Sequence, residues 1–136
     1  NKMLLARDEA LLKNAATRDT SLNFLSSEAG FLYAYVKQAP KSLAPPQKGT
    51  TVRFQYQIED LANNLLYSTS ELGIVEYAVD QEDLLPALRE GIRMMRPEEV
   101  VVFLFPSYLC YGYQGDGEKI GVNQPLRFTL ERLPIN

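Results

Sequence analysis

The side chains that most often carry covalent catalysis are scarce in this sequence. It holds no histidine and a single cysteine, Cys110. Without an imidazole there is no Ser-His-Asp or Cys-His arrangement, and the commonest transition-metal ligand is missing. No carboxylate–cysteine spacing suits a metal either, so neither metal nor cofactor is expected. Carboxylates gather at Asp80, Glu82 and Asp83 and again at Glu98 and Glu99. The first group suits the start of a helix, where acids meet the positive end of the dipole. The second reads as a solvated turn. Gly112, Gly115, Gly117 and Gly121 lack the spacing of a dinucleotide cradle and read as turn residues. Cys110 has no cation near it in sequence to lower its pKa, and is expected to be a small buried hydrophobe. The aromatic residues are left. Tyr56 and Phe128 fall on alternating apolar patterns and by themselves read as core. Tyr111, in a glycine-rich stretch, fits a pocket or turn packing equally well.

The elements that must position these residues follow from periodicity. Lys2 to Thr17 reads as a helix, with Leu4, Leu5, Leu11, Leu12 and Ala15 toward one face and Arg7, Asp8, Lys13 and Asn14 opposite. Phe31 to Val36 is aromatic-rich and suits a strand. The proline-rich Pro40–Lys48 is a connector. Thr51 to Glu59 alternates cleanly, Val52, Phe54, Tyr56 and Ile58 on one face, as a half-buried antiparallel strand does. Leu65 to Thr69 resumes an extended pattern. Leu85, Leu88, Ile92 and Met95 mark a short helix with Pro86 in its first turn. Glu99 to Phe105 is a strongly apolar strand, Pro106 to Gly121 a long loop, and Leu126, Phe128 and Leu130 alternate in a last strand. The sum is an α+β domain, a curved antiparallel sheet with a helix packed across it.

Bulk properties limit the partners. The 136 residues are 46% hydrophobic, enough for one real core. The net charge of −3 comes with no basic cluster, which argues against a nucleic-acid partner. No apolar run approaches the roughly 20 residues of a membrane helix.

Four segments, in order, resemble FKBP-type prolyl isomerases. Gly49-Thr50-Thr51-Val52-Arg53-Phe54-Gln55-Tyr56 is similar to the family's opening strand, and Leu85-Pro86-Ala87-Leu88-Arg89-Glu90-Gly91-Ile92 to its central helix, ending at a glycine. Phe105-Pro106-Ser107-Tyr108-Leu109-Cys110-Tyr111-Gly112 resembles P-x-x-L-A-Y-G, and Ile120 to Phe128 resembles I-P-x-N-x-x-L-x-F. Each motif is weak alone, but four in order are specific. The runs Leu66–Thr69, Tyr77–Glu82 and Tyr111–Gly117 further resemble the gliding-motility-associated lipoprotein isomerases of Bacteroidetes.

The resemblance implies an FKBP-like domain over residues 30–136, its sheet wrapped on one short helix, preceded by a helical extension over 1–29. It implies catalysis of X–Pro rotation, a reaction that breaks no bond and needs neither nucleophile nor metal. Matched residue by residue, Tyr56, Tyr111 and Phe128 would be the aromatic walls, with the Tyr111 hydroxyl a donor to the substrate carbonyl. Leu84, Leu85 and Leu88 would form the floor, with the Leu85 N–H a second donor, and Ile120 would close one side. The family's pocket Phe-Asp pair falls on Leu66-Tyr67, which loses a carboxylate, and Val75 replaces an aromatic. The partners implied are proline-containing polypeptides and macrolide inhibitors. The compartment implied is the periplasm or outer envelope, through a lipid anchor on a cysteine upstream of Asn1. The role implied is folding of exported proteins. A non-catalytic prolyl-peptide clamp or chaperone of an envelope or motility complex is the alternative. The N-terminal helix is expected either to pack on its own domain or to form a homodimer.

Overall fold

The protein's computed structural model describes residues 1–135. Helix α1 (Lys2–Arg18) is followed by β1 (Leu25–Ser26), β2 (Leu32–Lys37), β3 (Thr51–Glu59), β4 (Leu65–Tyr67), a single turn of helix α2 (Thr69–Leu72), β5 (Val75–Ala78), helix α3 (Pro86–Arg93), β6 (Val100–Phe105) and β7 (Leu126–Leu133). Two 3₁₀ turns, Ser107–Leu109 and Gly112–Gln114, lie between β6 and β7. Among the described residues seven strands form one antiparallel sheet in the order β1-β2-β6-β7-β3-β4, with β5 pairing the other end of β3 beyond β4.

The alternation in β3 and β7 sends Val52, Phe54, Ile58, Leu126, Phe128 and Leu130 inward, all essentially without exposed surface. They meet α3, whose Ala87, Leu88 and Ile92 are buried. Pro86 opens α3, where its missing N–H costs nothing. Gly91 does not end this helix, as the motif led one to expect, but lies inside it. A Cβ there would stand 3.2 Å from Leu130 and from the Phe103 ring, so glycine lets the helix axis approach the sheet.

Strand β6 explains the second layer. Its sequence, VVVFLF, is a continuous apolar run, which suits a strand covered on both faces. Val101, Phe103 and Phe105 join the main core, while Leu104 packs on the opposite side against Leu12 and Ala15 of α1. The sheet is therefore wrapped on α3 and backed by α1. The buried residues of α1 are Asp8, Leu12 and Ala15, one face by helical spacing. Asp8 was expected on the polar face and is 1% exposed; Leu5 and Leu11 were expected on the apolar face and are 47% and 39% exposed.

Polar anchors complete the docking. Asp19, which caps α1, accepts a 2.9 Å hydrogen bond from Arg127 of β7. Arg18 donates to the Leu61 carbonyl at 2.9 Å. Glu59 pairs with Arg127 at 3.2 Å. Asp19 is hydrogen-bonded to Ser21 and Arg127, which lowers its pKa, whereas Glu59 meets Arg127 through charge alone and burial raises its pKa. Two other acids depart from expectation. Glu99 is fully buried, and its carboxylate accepts the N–H groups of Ala39 and Arg96 at 3.0 and 2.9 Å. Asp80 and Glu82 do not start a helix: Asp80 pairs with Arg93 at the far end of α3, and Glu82 accepts the Ala78 N–H. Glu98 is the turn residue expected, with φ 66°.

Candidate functional site

The site is built on an aromatic column that crosses the sheet. Phe103 and Phe105, on β6, stack with centroids 5.2 Å apart. Phe105 meets Phe128 edge-on at 5.3 Å and 86°, and Phe128 lies parallel to Tyr56 at 5.9 Å and 4°. Phe128 of β7 is paired with Ile58, two residues along β3 from Tyr56, which places both rings on the same face. Phe128 has no accessible surface, so it acts as the backing of Tyr56 rather than as a wall that meets a ligand. Tyr56 is half-buried at the open end of the column.

Tyr111 comes from the loop after β6, at the start of the second 3₁₀ turn. Burial, followed by the neighbouring Tyr56 and Cys110, pushes its phenol to about 12. Burial also raises the Tyr56 phenol. Both hydroxyls are therefore neutral donors throughout the physiological range, with no anionic form to contend with. Cys110 is buried and its thiol is pushed well up by desolvation, as expected of a small apolar residue.

The ten residues proposed from sequence all belong to one hydrophobic cluster. Leu88, Ile120 and Phe128 are buried in it; Tyr56, Leu66, Tyr67, Val75, Leu84, Leu85 and Tyr111 are partly exposed and pack against it. That combination, an accessible apolar surface with a solid core behind it, is what a shallow apolar pocket requires. No side chain caps the start of α3 at Leu85, which leaves first-turn N–H groups without a capping acceptor there. A separate cleft of about 370 Å³ opens between α1 and the β1–β2 edge, lined by Leu5, Phe31 and Tyr108 among others. None of the ten residues proposed from sequence lines it.

One polar contact beside these residues was not found from sequence. The Tyr67 hydroxyl donates to the carboxylate of Asp116. The other oxygen of Asp116 accepts the N–H groups of Glu118 and Ile120, at 2.9 and 2.8 Å. Position 67 has lost its carboxylate, but position 116 supplies one to the same corner. The hydrogen bond to Asp116 is the first cause that raises the Tyr67 phenol to about 12. Burial works against the Asp116 carboxylate, yet the bonds from Tyr67, Ile120 and Glu118 hold its pKa below the usual range. Lys119 lies 4.8 Å from the centre of the Tyr67 ring and 3.3 Å from Glu71, so the loop is fastened to the β4–α2 corner on its outer side too. The loop needs Gly115, with φ +66°, where a Cβ would fall 2.5 Å from the Ile120 carbonyl. A local signal for Asp116 exists, since an Asp between two glycines readily accepts N–H groups ahead of it. Its partner, 49 residues away, leaves none.

Comparison with known proteins decides the family. The sequence profile of the FKBP-type peptidyl-prolyl cis-trans isomerases matches residues 43–133. The chain belongs to the FKBP-type peptidyl-prolyl cis-trans isomerase family. A probable FKBP-type peptidyl-prolyl cis-trans isomerase, FkpA of Neisseria meningitidis serogroup B, is 28% identical over 131 residues, which are 95% of this chain and 45% of that protein. The chain thus spans about half the length of that relative. Among solved structures, a peptidyl-prolyl cis-trans isomerase of Pseudomonas syringae pv. tomato superposes with a TM-score of 0.74 at 16% identity, over 98% of this chain and 93% of the other. FkpA from Escherichia coli gives 0.73 at 21% identity, over 95% and 59%. The N-terminal domain of FKBP42 from Arabidopsis thaliana gives 0.69 at 17%, over 81% and 89%. These likenesses establish the FKBP-like fold; α1 and β1 lie outside the stretch that the family profile covers.

Proposed function

We propose that this FKBP-type domain rotates X–Pro bonds of exported polypeptides at the surface formed by Tyr56, Tyr111, Leu84 and Leu85, with Ile120 packed behind it. The observation that carries the reading is the pair of neutral phenols held over an apolar floor. Rotation about an amide costs about 18–20 kcal/mol because resonance must be broken. The twisted amide has less charge separation than the planar one, so a dry surface favours it over the ground state. A phenol donating to the substrate carbonyl holds the chain on one side while the prolyl side turns. Each ~1.4 kcal/mol of preference for the twisted form gives a tenfold rate. Leu66, Tyr67, Val75 and Leu88 shape the rim and floor, and macrolide inhibitors are expected to compete for the same surface. The resemblance of three sequence runs to lipid-anchored isomerases supports an envelope-facing location, with the anchor upstream of Asn1.

The test is cis/trans turnover of a proline tetrapeptide by the chain and by Tyr111→Phe. The parent should exceed the uncatalysed rate and the variant should lose most of that excess. A parent rate equal to background would sink the proposal. A second reading, a prolyl-peptide clamp or chaperone, is favoured by Tyr67 and Val75 standing where the family pattern has an acid and an aromatic. It predicts suppression of aggregation that survives Tyr111→Phe.

A further inference from the structure

The N-terminal helix places two adjacent residues against the loop that carries Tyr111. Asp8 turns into the fold and is 1% exposed. Its Oδ2 accepts the Ser107 N–H at 2.9 Å and the Ser107 hydroxyl at 2.6 Å, and its Oδ1 accepts Arg7 at 3.1 and 2.6 Å. A buried carboxylate is unfavourable unless it is paired and hydrogen-bonded, and here both conditions are met. Arg7 also donates to the carbonyl of Asn123.

The two contacts converge on one residue. The Ser107 carbonyl accepts the N–H of Cys110 at 3.0 Å, and the Asn123 N–H donates to the carbonyl of Gly112 at 2.8 Å. Tyr111 therefore sits between two backbone positions, each tied within one further hydrogen bond to the Arg7–Asp8 pair. Ile120 lies on the same loop as Asn123. Nothing in packing alone requires this: Leu12 and Ala15 already dock α1 on the sheet, and a serine or alanine at position 8 would avoid the buried charge.

We propose that Arg7 and Asp8 are positioning residues that set the Tyr111 loop from the N-terminal helix, so that the pocket depends on a segment outside the family's common domain. The proposal rests on Tyr111 belonging to the working surface described above, but its first readout does not require turnover. Residue-resolved amide exchange would be compared in the full chain, Asp8→Ala, Arg7→Ala and, as a control, Glu9→Gln, whose side chain pairs only with exposed Lys13. Exchange at Cys110 and Asn123 should rise tenfold or more in the first two variants and not in the control, with β3 and β7 amides within twofold of the parent. In the isomerase assay kcat should fall about tenfold with KM little changed, and Asp8→Ala should cost less than twofold further in a Tyr111→Phe background. Unchanged exchange at both amides, or an equal rise across the whole sheet, would overturn the proposal. If Asp8→Ala does not fold, Arg7→Ala decides, since its side chain is 47% exposed. A parent without turnover removes the function proposed above, while the exchange result still settles the role of Arg7 and Asp8.

Discussion

Replacing Phe128 with alanine should unfold this domain more than it disables a working pocket. The ring has no exposed surface and touches both Tyr56 and Phe105. Truncating a buried Phe to Ala costs about 3–5 kcal/mol. Each favourable aromatic pair adds about 0.5–1.5 kcal/mol beyond area, so the upper half of that range, about 4–5 kcal/mol, is expected. Domains of this size are stable by about 5–15 kcal/mol. The variant would then keep anything from none to about three-quarters of its stability, and a loss of rate alone would say nothing about chemistry. Phe128→Leu keeps most of the volume and should cost about 1–2 kcal/mol, within the ordinary range for a point change. The assay is equilibrium urea unfolding of parent and both variants, followed by turnover at a temperature where each is folded. With a urea slope of about 1–3 kcal/mol/M, the alanine variant should unfold at a midpoint lower by roughly 1.3–5 M. A loss under about 1 kcal/mol would show that the ring is not packed as described and would refute the column as the backing of Tyr56.

Three further outcomes follow from the titrating groups. The Tyr67 phenol, raised from 10.0 to about 12 by Asp116, contributes stability that is full below pH 10 and is lost as pH rises through 12. Two phenols, Tyr67 and Tyr111, are raised to about 12; Asp116→Asn should return the first toward the ordinary value and leave the second high, and an ultraviolet titration that still shows both near 12 would contradict the pairing. The Asp19 carboxyl, held below its ordinary 3.8 by Ser21 and Arg127, contributes stability above that value that is lost as pH falls through its lower folded value. Asp19→Asn should flatten the acid limb of thermal stability against pH, which calorimetry would measure. Cys110, buried and poorly ionised, should react with a maleimide only when the fold opens, so its rate should climb with urea. Rapid labelling in native buffer would place the thiol on the surface instead.

Much of the sheet was legible because alternation reports burial directly. Val52, Phe54 and Ile58, and likewise Leu126, Phe128 and Leu130, lie where period-two spacing put them. All ten site residues named from sequence fall in one cluster, because ordered motifs fix where strands and helix meet. The failures at polar residues share a cause, since those residues were assigned to water by type. Asp8 and Glu99 are buried because backbone or hydroxyl donors wait for them: Ser107 lies 99 residues from Asp8, and Ala39 lies 60 residues from Glu99, beside the local Arg96 N–H. The same holds for Tyr67 and Asp116. The face of α1 was misjudged because its apolar residues outnumber its buried positions, and Met3, Leu5 and Leu11 remain exposed. The apolar run of β6 was the one available signal that something had to cover its outer side. Gly91 looked like a helix end because glycine commonly is one; only the distance to Leu130 and Phe103 shows why it lies within.

The position of β7 has a consequence for how the chain comes together. It is the last strand in the sequence, yet it lies between β6 and β3 and joins the two halves of the sheet. Until residues 126–133 are available, β1-β2-β6 and β3-β4-β5 each present an unpaired edge, with no neighbour that could substitute. Pairings between β3 and β7 span up to about 80 residues, the kind of non-local contact that makes closure slow. The sheet of this domain therefore stays in two parts until β7, the last of its strands, is in place.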